Sequence, residues 1–366
     1  MNSHENDIKR IVVKIGTSTL SDKDGLKYDF IKDIAREISH LKRVGKDVII
    51  VTSGAIGAGC KALNLVQNPQ PTDIILKQAC AAVGQSVVME AYHNAFASYN
   101  EVVAQVLLTY DDFSDRKKYL NFRNGMEKLL KLGVVPVINE NDVVATDEIK
   151  ERFGDNDKLS AMLSSGVDAD LLIILSDVDG LYDKDPKRYR NASLITTVPE
   201  ITEEIEAMAG KKGSPLAVGG MVTKIGAAKI CTDAGCRVAI INGSVKNAIT
   251  RIAGGEKLGT LFLARKKLSN KEMWISHSTA KGRIIIDNGA KNAILNNKSL
   301  LPSGIIEIKG RFKKNDVVYL NEFAKAIVDF SSEDLEKIKG KNSSDIEKIL
   351  NKSGKVIVKS ENIVFL

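Results

Sequence analysis

The chain has 366 residues and a net charge of +7, a length that predicts two or three domains with a large core. Its composition is 43% hydrophobic and 27% charged, which excludes a wholly disordered, collagen-like or coiled-coil protein. Aromatic residues make up only 5% of the chain, which argues against a protein that binds single-stranded nucleic acid by stacking.

No apolar run approaches the ~20 residues needed to cross a bilayer, and the polar N-terminus does not have the pattern of a signal peptide. The four cysteines show no CxxC spacing, and the four histidines do not cluster with them. Neither a zinc site nor a disulfide framework is therefore indicated. These features predict a reduced, cytoplasmic protein.

Strand-like and helical segments alternate through the first two thirds of the chain. The strand-like segments are apolar and rich in β-branched residues: Ile11–Gly16, Val48–Thr52, Val102–Leu108, Val134–Ile138, Leu171–Leu175 and Val238–Ile241. The segments with helical period are Phe30–Val44, Ile74–Ser98, Tyr119–Leu132, Leu159–Val167 and Met221–Ala234. This alternation predicts an α/β fold with a parallel sheet that is buried under helices on its faces.

The pattern changes after Gly259–Leu263. A polar, basic segment, Ala264–Lys271, is typical of a linker, and shorter elements follow it. The predicted strands are Arg283–Ile286, Ile305–Ile308, Val317–Leu320, Ala326–Asp329 and Val356–Val358, and the predicted short helices are Ala290–Asn296, Glu333–Lys339 and Ser344–Leu350. We therefore expect a domain at 1–263, a linker at 264–273 and a small mixed-β domain at 274–366.

Ligands of open α/β sheets bind beyond the carboxyl ends of the strands, so the loops that follow the strands form the candidate site. Lys14 ends the first strand before a turn of small residues, which suits a phosphate as well as it suits an ordinary turn. A glycine-rich turn, Thr52–Gly59, follows the second strand and opens a helix, where free N–H groups can hold an anion. It matches neither a nucleophile elbow nor a Walker A loop, and the acidic residue of a dinucleotide fingerprint is missing.

Carboxylates and amides are concentrated in two later loops, Asn139–Asp142 and Gly154–Asp157. Such side chains can bind an ammonium, Mg²⁺ or a carboxylate, although turns and N-caps use the same residue types. A last turn, Gly219–Lys224, opens another helix with two glycines and a lysine. Lys14 and Lys224 come from distant segments and can flank a transferring phosphoryl group. These loops contain no histidine or cysteine, so they do not indicate acid–base or thiol catalysis.

Taken in order, these loops resemble the amino acid kinase family, and within it the kinases that act on glutamate. The segments that carry the resemblance are Val12–Ser18, Ser53–Ile56, Gln78–Gln85, Tyr119–Arg123, Pro136–Asp142, Phe153–Asp157, Ser176–Pro186 and Gly219–Lys224. The last ninety residues resemble a PUA domain, notably at Gly289-Ala290 and Leu300–Ile305.

The resemblance implies an αβα sandwich with a mainly parallel sheet, followed by a small PUA-like domain. It implies ATP-dependent phosphorylation of the γ-carboxylate of L-glutamate to L-glutamyl 5-phosphate, the first step of proline biosynthesis. A carboxylate is already an anionic nucleophile at neutral pH, so the reaction needs no general base. It needs cancellation of the charge between two anions, which lysines and Mg²⁺ supply.

The resemblance also assigns roles to residues of this chain. The catalytic set would be Lys14, Lys224 and Asp157, with the two lysines on the phosphates and the carboxylate orienting them. Glutamate would be held by Ser53, Asn139, Asp142, Asp155 and Asn156, with Asp142 answering the ammonium. ATP would be bound by Lys14, Ser176, Asp177, Gly219, Gly220, Met221, Val222, Thr223 and Lys224.

Proline as a feedback inhibitor and a homo-oligomeric state are further properties that the resemblance implies, with no membrane partner. One alternative is a related kinase for aspartate or acetylglutamate, against which the Gln78–Gln85 segment and the PUA-like tail argue. Another is an RNA-binding protein that acts through residues 271–366, which hold 17 basic and 12 acidic residues. That excess is small for a series of phosphate contacts, which favours a packing or regulatory module.

Overall fold

The computed structural model describes residues 8–23, 25–65, 73–145, 156–186, 188–210, 220–264, 270–342, 346–351 and 356–365. The chain divides into two compact units, one of residues 1–112 and 117–267 and one of residues 113–116 and 268–366. Residues 265–269 of the predicted linker lie outside the described residues, and Asn270–His277 form a helix rather than extended chain. Across the described residues, no helix is both long enough and apolar enough to span a membrane.

Between residues 8 and 264 the elements follow the predicted alternation. The strands are β1 (Arg10–Ile15), β2 (Ser21–Asp22), β3 (Gly25–Leu26), β4 (Asp47–Val51), β5 (Val103–Leu108), β6 (Val135–Glu140), β7 (Leu171–Ser176), β8 (Thr197–Val198), β9 (Arg237–Asn242) and β10 (Thr260–Phe262). The helices are α1 (Thr17–Leu20), α2 (Tyr28–Arg43), α3 (Ala55–Ala62), α4 (Ile74–Ala97), α5 (Tyr110–Ser114), α6 (Arg116–Lys131), α7 (Asn156–Gly166), α8 (Glu203–Met208), α9 (Met221–Asp233) and α10 (Ala248–Ala253).

An eight-stranded sheet forms the middle layer of the first unit, in the order β5-β6-β4-β1-β7-β9-β10-β8. The pairs from β5 to β9 are parallel, whereas β10 runs antiparallel to β9. Ile11 and Val13 of β1 belong to one core, and Val12 between them points the other way and is fully buried. Burial on both faces explains the continuous apolar runs and confirms the predicted αβα arrangement with a mainly parallel sheet.

The strand order places the ends of four strands side by side. Strand β1 lies between β4, which follows it early in the chain, and β7, which comes later. Lys14 of β1, Ser53 after β4, Asn139 of β6 and Ser176 of β7 all lie at the carboxyl edge. Ligands of open α/β sheets bind at such a change of direction, so the topology brings the predicted residues to one edge.

Helices α3 and α4 pack with their backbones in direct contact. A Cβ atom on Gly59 would lie 1.8 Å from the carbonyl oxygen of Cys80, and one on Gly84 would lie 1.8 Å from that of Ala55. The obstacle in both cases is backbone, which cannot rotate away as a flexible side chain can. Glycine is therefore required at both positions by the packing of these two helices.

We expect Gly84→Ala to lower the free energy of unfolding of the first unit by about 3 kcal/mol, because the added methyl must separate two helices. Chemical denaturation followed by circular dichroism measures this change. Gly125→Ala in α6 is the matched control, since nothing lies within 4 Å of its added Cβ. Replacing that helical glycine should instead stabilise by about 0.5–1 kcal/mol, and equal effects of the two substitutions would contradict the close contact.

The second unit carries its own sheet and core. Its strands are β11 (Arg283–Ile286), β12 (Ile305–Lys309), β13 (Val317–Leu320), β14 (Ala324–Ile327) and β15 (Ile363–Phe365), and its helices are α11 (Asn270–His277), α12 (Asn288–Leu295), α13 (Ser332–Ile338) and α14 (Ile346–Leu350). The order is β12-β11-β13-β14-β15, with β11 and β13 parallel and the other pairs antiparallel. The predicted small mixed-β domain is confirmed.

One predicted strand of this unit is wrong. Val356–Val358 does not join the sheet, because Val358 makes only a single bridge to Leu300. Ile357 and Val358 are fully buried in the core of the unit, so their apolar character reflects burial rather than strand pairing. The strand that pairs with the other edge of β14, opposite β13, is Ile363–Phe365, which the sequence pattern does not indicate.

Candidate active site

The centre of the site is one carboxylate held between two lysines. Lys14 Nζ lies 2.5 Å from Asp157 Oδ1, and Lys224 Nζ lies 3.3 Å from Asp157 Oδ2. Thr223 Oγ1 donates a hydrogen bond of 2.7 Å to the same Oδ2. The three charged side chains are each less than one-tenth exposed. They come from the end of β1, the first turn of α7 and the first turn of α9, so the fold itself assembles them.

The two lysines keep the buried carboxylate of Asp157 in its charged form. Burial opposes the ionised form of Asp157, but Lys14 and Lys224 together hold its pKa below the ordinary value. The carboxylate is therefore ionised at neutral pH, and it keeps the two ammonium groups at fixed positions. Buried ammonium groups at fixed positions can stabilise an anionic ligand in a site of low dielectric.

The side chain of Asn156 joins the ends of two strands to the start of α7. Its Nδ2 lies 2.7 Å from the Thr52 carbonyl oxygen, 3.0 Å from Ser53 Oγ and 2.9 Å from Asn139 Oδ1. The amide has two hydrogens for three acceptors, so its donor side is fully used. Its Oδ1 is buried and has no partner among the residues that the structure describes. That oxygen can accept a hydrogen bond from a ligand.

The turn between β4 and α3 has a backbone that only glycine adopts easily. Gly54 has φ of +85°, in the left-handed region, and it directly precedes α3. Ser53 before it is buried, and Thr52 Oγ1 lies 3.0 Å from the hydroxyl oxygen of Tyr92 on α4. The predicted glycine-rich turn is thus a fixed element that presents Ser53 to Asn156.

The residues predicted to bind ATP lie at the end of β7 and the start of α9. Ser176 is buried and donates from Oγ to Asp177 Oδ1 at 3.1 Å, while Asp177 itself is exposed. Gly220 precedes α9, and Met221, Val222, Thr223 and Lys224 form its first turn. The first N–H groups of a helix have no partner within it, so this turn can bind phosphate oxygens.

The structure brings some of the predicted residues together and leaves others apart. Lys14, Lys224 and Asp157 form one contact group, and Ser53, Asn139 and Asn156 form a second that adjoins it through the 156–157 peptide. Asp155 and Gly219 lie outside the described residues. Asp142 belongs to neither group and lines a separate cavity.

That cavity has a volume of about 210 Å³ and lies beside the loop after β6. Its polar lining includes Glu140, Asp142, Gln85 of α4 and Gln105 of β5. Asp142 is only 8% exposed, and burial raises its pKa to about 6. Its charge is therefore sensitive to pH in the range in which most enzymes are assayed.

Sequence reasoning missed the roles of Thr52 and Gln85. The sequence pattern predicts only that Thr52 begins the glycine-rich turn and that Gln85 ends a segment that resembles the family. For Gln85 a signal was available, because it shares one face of the α4 helix with Ala81, Gly84 and Val88, which are all buried. A polar residue within such an apolar face indicates a specific partner.

Comparison with known proteins adds family-level information. Residues 9–242 match the amino acid kinase family, and residues 282–350 match the PUA domain. The chain is 49% identical over 349 residues to a glutamate 5-kinase of Methanosarcina barkeri, covering 92% of this chain and 91% of that protein. It is 49% identical over 374 residues to the glutamate 5-kinase of Methanosarcina mazei, covering 98% and 97%. For the glutamate 5-kinase of Thermoanaerobacter sp. strain X514 the identity is 48% over 337 residues, covering 90% of each chain.

Proposed function

The chain belongs to the amino acid kinase family, and we propose that Lys14, Lys224 and Asp157 are the centre at which it phosphorylates glutamate. Its activity is that of the glutamate 5-kinases, with which it shares nearly half of its residues along almost the whole chain. ATP is the phosphoryl donor, the γ-carboxylate of L-glutamate is the acceptor, and L-glutamyl 5-phosphate is the product. This is the first step of proline biosynthesis.

One observation supports the proposed centre above all others: two buried lysines from distant segments converge on a single carboxylate. In the reaction a carboxylate oxygen of glutamate forms a bond to the γ-phosphorus, and the bond from that phosphorus to the bridging oxygen breaks. The electron pair of the broken bond leaves with ADP. Lys14 and Lys224 cancel the charge of the two anions, and Asp157 fixes the positions of both ammonium groups.

The glutamate side of the site needs no proton transfer. The γ-carboxyl group has an ordinary pKa of about 4.3, so it is ionised at neutral pH and ready to attack. We assign the placement of glutamate to Ser53, Asn139, Asp142, Asp155 and Asn156. The unpartnered Oδ1 of Asn156 supports this assignment, since a buried acceptor without a partner is satisfied when a donor of the substrate reaches it.

The ATP side consists of Lys14, Ser176, Asp177 and the turn Gly219–Lys224. The first turn of α9 offers unpaired N–H groups to the phosphates, and Lys224 ends that turn. Thr223 donates to Asp157, so this part of the turn positions the catalytic carboxylate. The nucleotide and the catalytic group thus depend on the same helix terminus.

The donor set fits a Mg²⁺ ion that arrives with the nucleotide. Among the described residues no three His, Cys, Asp or Glu side chains lie together, and both oxygens of Asp157 are already engaged. Mg²⁺ commonly keeps several waters and binds phosphate oxygens plus one or two carboxylates, and Asp177 is the exposed carboxylate that would hold it. When bound, Mg²⁺ neutralises part of the phosphate charge.

Three properties that rest on family resemblance complete the proposal. We assign proline a role as feedback inhibitor, and we expect a homo-oligomer in the cytoplasm. The second unit belongs to the PUA family, and its sequence excess of only five positive charges favours a packing or regulatory role over RNA binding. A gel-shift with RNA at low salt tests that choice, since salt-sensitive binding by the full chain would favour RNA.

The proposed reaction is tested by ATP consumption with Mg²⁺, a panel of acids and hydroxylamine, which traps acyl phosphates as hydroxamates. We expect hydroxamate with L-glutamate and none with aspartate or acetylglutamate. Hydroxamate from another acid alone would keep the phosphoryl-transfer centre and reject the substrate. If no acid in the panel supported ATP consumption, both the phosphoryl-transfer centre and the substrate would be rejected.

The raised pKa of Asp142 predicts an acidic limb in the rate profile. Below pH 6 the side chain becomes neutral and loses its attraction for the ammonium of glutamate, so kcat/KM should fall about tenfold per pH unit. Above pH 7 the same parameter should level off. Steady-state rates between pH 5 and 8, at saturating ATP and Mg²⁺, measure the profile.

Asp142→Asn is the control for this limb, because it cannot gain or lose a proton. Its kcat/KM should be about 10- to 100-fold lower than that of the parent enzyme at pH 8 and nearly flat between pH 5 and 7. If kcat/KM of this variant still fell at the same pH as in the parent enzyme, the titrating group would be the nucleotide or another residue.

A further inference from the structure

Gln85 is a buried amide whose polar atoms are not used by the fold. The side chain is 8% exposed, and neither Nε2 nor Oε1 has a hydrogen-bond partner among the residues that the structure describes. Buried amides in native proteins are almost always paired, with protein, water or a ligand. Its neighbours on the same face, Ala81, Gly84 and Val88, are apolar, so an apolar residue would serve packing better at this position.

Gln85 is one of the residues that line the same cavity as Asp142. This cavity of about 210 Å³ is smaller than the ~300–1,000 Å³ of sites for drug-sized ligands, so it suits a group of a few heavy atoms. Asp142 and Glu140 supply carboxylates to its wall, and Gln85 supplies a buried N–H donor. The carboxylate of Asp142 can accept from an ammonium group, and the amide of Gln85 can donate to a carboxylate. An α-amino acid carries these two groups on one carbon atom, so the pair complements the α-amino-acid end of a substrate.

The cavity is also within reach of the phosphoryl-transfer centre. Asn139 contacts Asn156, which directly precedes Asp157, and Asp142 is three residues farther along the chain. Three residues span at most about 11 Å. Asn139 therefore connects the loop that lines the cavity to the residue beside the phosphoryl-transfer centre, and we expect a dicarboxylic amino acid to bridge the two.

We infer that Gln85 is a specificity-determining residue that donates from Nε2 to the α-carboxylate of glutamate, while Asp142 pairs with the ammonium. This inference rests on the proposed function and adds the contact that reads the α-carboxylate. A site that hydrogen-bonds a substrate group strongly rejects analogues without it, because its own polar groups then stay buried and unpaired. Gln85 thus excludes simple carboxylic acids from phosphorylation.

The test compares three ligands that differ in one group each. L-Glutamate has both α-groups, 4-aminobutyrate lacks the α-carboxylate, and glutarate lacks the ammonium. The KM for glutamate and the inhibition constants of the other two are measured for the parent enzyme and for Gln85→Met, which keeps the volume and removes the amide. We expect the variant to raise the glutamate KM and the glutarate constant about 10- to 100-fold, with the 4-aminobutyrate constant within threefold and kcat within threefold.

Gln78→Met is the matched control, since Gln78 lies on the same helix and its amide already donates to the Val143 carbonyl oxygen at 3.3 Å. It should shift all three ligands by one common factor. A common factor for Gln85→Met as well would overturn the inference and leave Gln85 a packing residue. If the parent enzyme formed no hydroxamate with glutamate, the proposed function would fail instead.

Gln85→Glu keeps the size and shape of the side chain and replaces the N–H donor with a negative charge. It is the second test variant if Gln85→Met does not fold. It should weaken glutamate and glutarate more than Gln85→Met does and should leave 4-aminobutyrate unchanged or bound more tightly. Equal weakening of all three ligands by Gln85→Glu would likewise overturn the inference.

Discussion

Lys224→Ala is expected to lower kcat about 10³-fold while the KM for glutamate changes less than threefold. The Lys224 ammonium lies 3.3 Å from Asp157 in a site that is almost closed to water, where a fixed positive charge stabilises a phosphoryl-transfer transition state strongly. Alanine removes the charge from the ATP side and leaves the predicted glutamate contacts in place. Initial rates of ADP formation, with glutamate and ATP varied in turn, measure the effect.

Lys229→Ala is the matched control for that substitution. Lys229 lies on the same helix, but it is exposed and paired with Glu206 at 2.6 Å, so its loss should leave kcat unchanged. Lys14→Ala should resemble Lys224→Ala, because both ammonium groups contact the same carboxylate. A kcat of the Lys224 variant within tenfold of the parent value would remove this lysine from the catalytic set.

Asp157→Asn is expected to lower kcat by at least 10²-fold and to destabilise the ligand-free enzyme by about 3 kcal/mol. The neutral amide removes the negative charge that both buried ammonium groups contact, and breaking a buried ion pair from one side is costly. Without the carboxylate the lysines repel each other and lose the positions that the reaction requires. Thermal melting and initial rates measure the two effects on the same protein.

Added ATP with Mg²⁺ distinguishes this origin from a general packing defect. Phosphate oxygens can replace the missing negative charge, so nucleotide should raise the melting temperature of the Asn variant more than that of the parent protein. Thr223→Val removes one hydrogen bond to the Asp157 carboxylate and keeps every charge, so its destabilisation should be smaller, about 1.5 kcal/mol. Equal melting temperatures of parent enzyme and Asp157→Asn would contradict the buried charge balance.

Much of the first unit follows from its sequence because its central strands, β1, β4, β6, β7 and β9, are buried on both faces. The predicted helix Ile74–Ser98 and the observed Ile74–Ala97 differ by one residue, since an N-cap at Asp73 marks the start. The second unit was harder to predict, because short strands leave few residues to show a pattern. Ile357 and Val358 are fully buried but lie outside the sheet, and only tertiary structure distinguishes such a core segment from a strand.

The site shows the same division between local pattern and contact across the fold. Lys14 and Lys224 could be selected from their places at a strand end and a helix start, and Asp157 from its loop. That all three meet depends on strand order, which no single segment encodes. The donor bonds of Asn156 could not be found by spacing, because their acceptors lie in other parts of the chain.

Residues 156 and 157 have a consequence for how the acceptor could change during evolution or engineering. Asn156 holds the ends of two strands and Asp157 holds both lysines, so any substitution at this dipeptide disturbs acceptor and donor halves at once. Among the described residues, the side chains of Asp142 and Gln85 form no hydrogen bond with the two lysines or the ends of the strands, and they line the cavity. We therefore expect substitutions at Asp142 and Gln85 to change the range of substrates. Residues 156 and 157 should stay unchanged, because they connect the cavity side of the site to the phosphoryl-transfer centre.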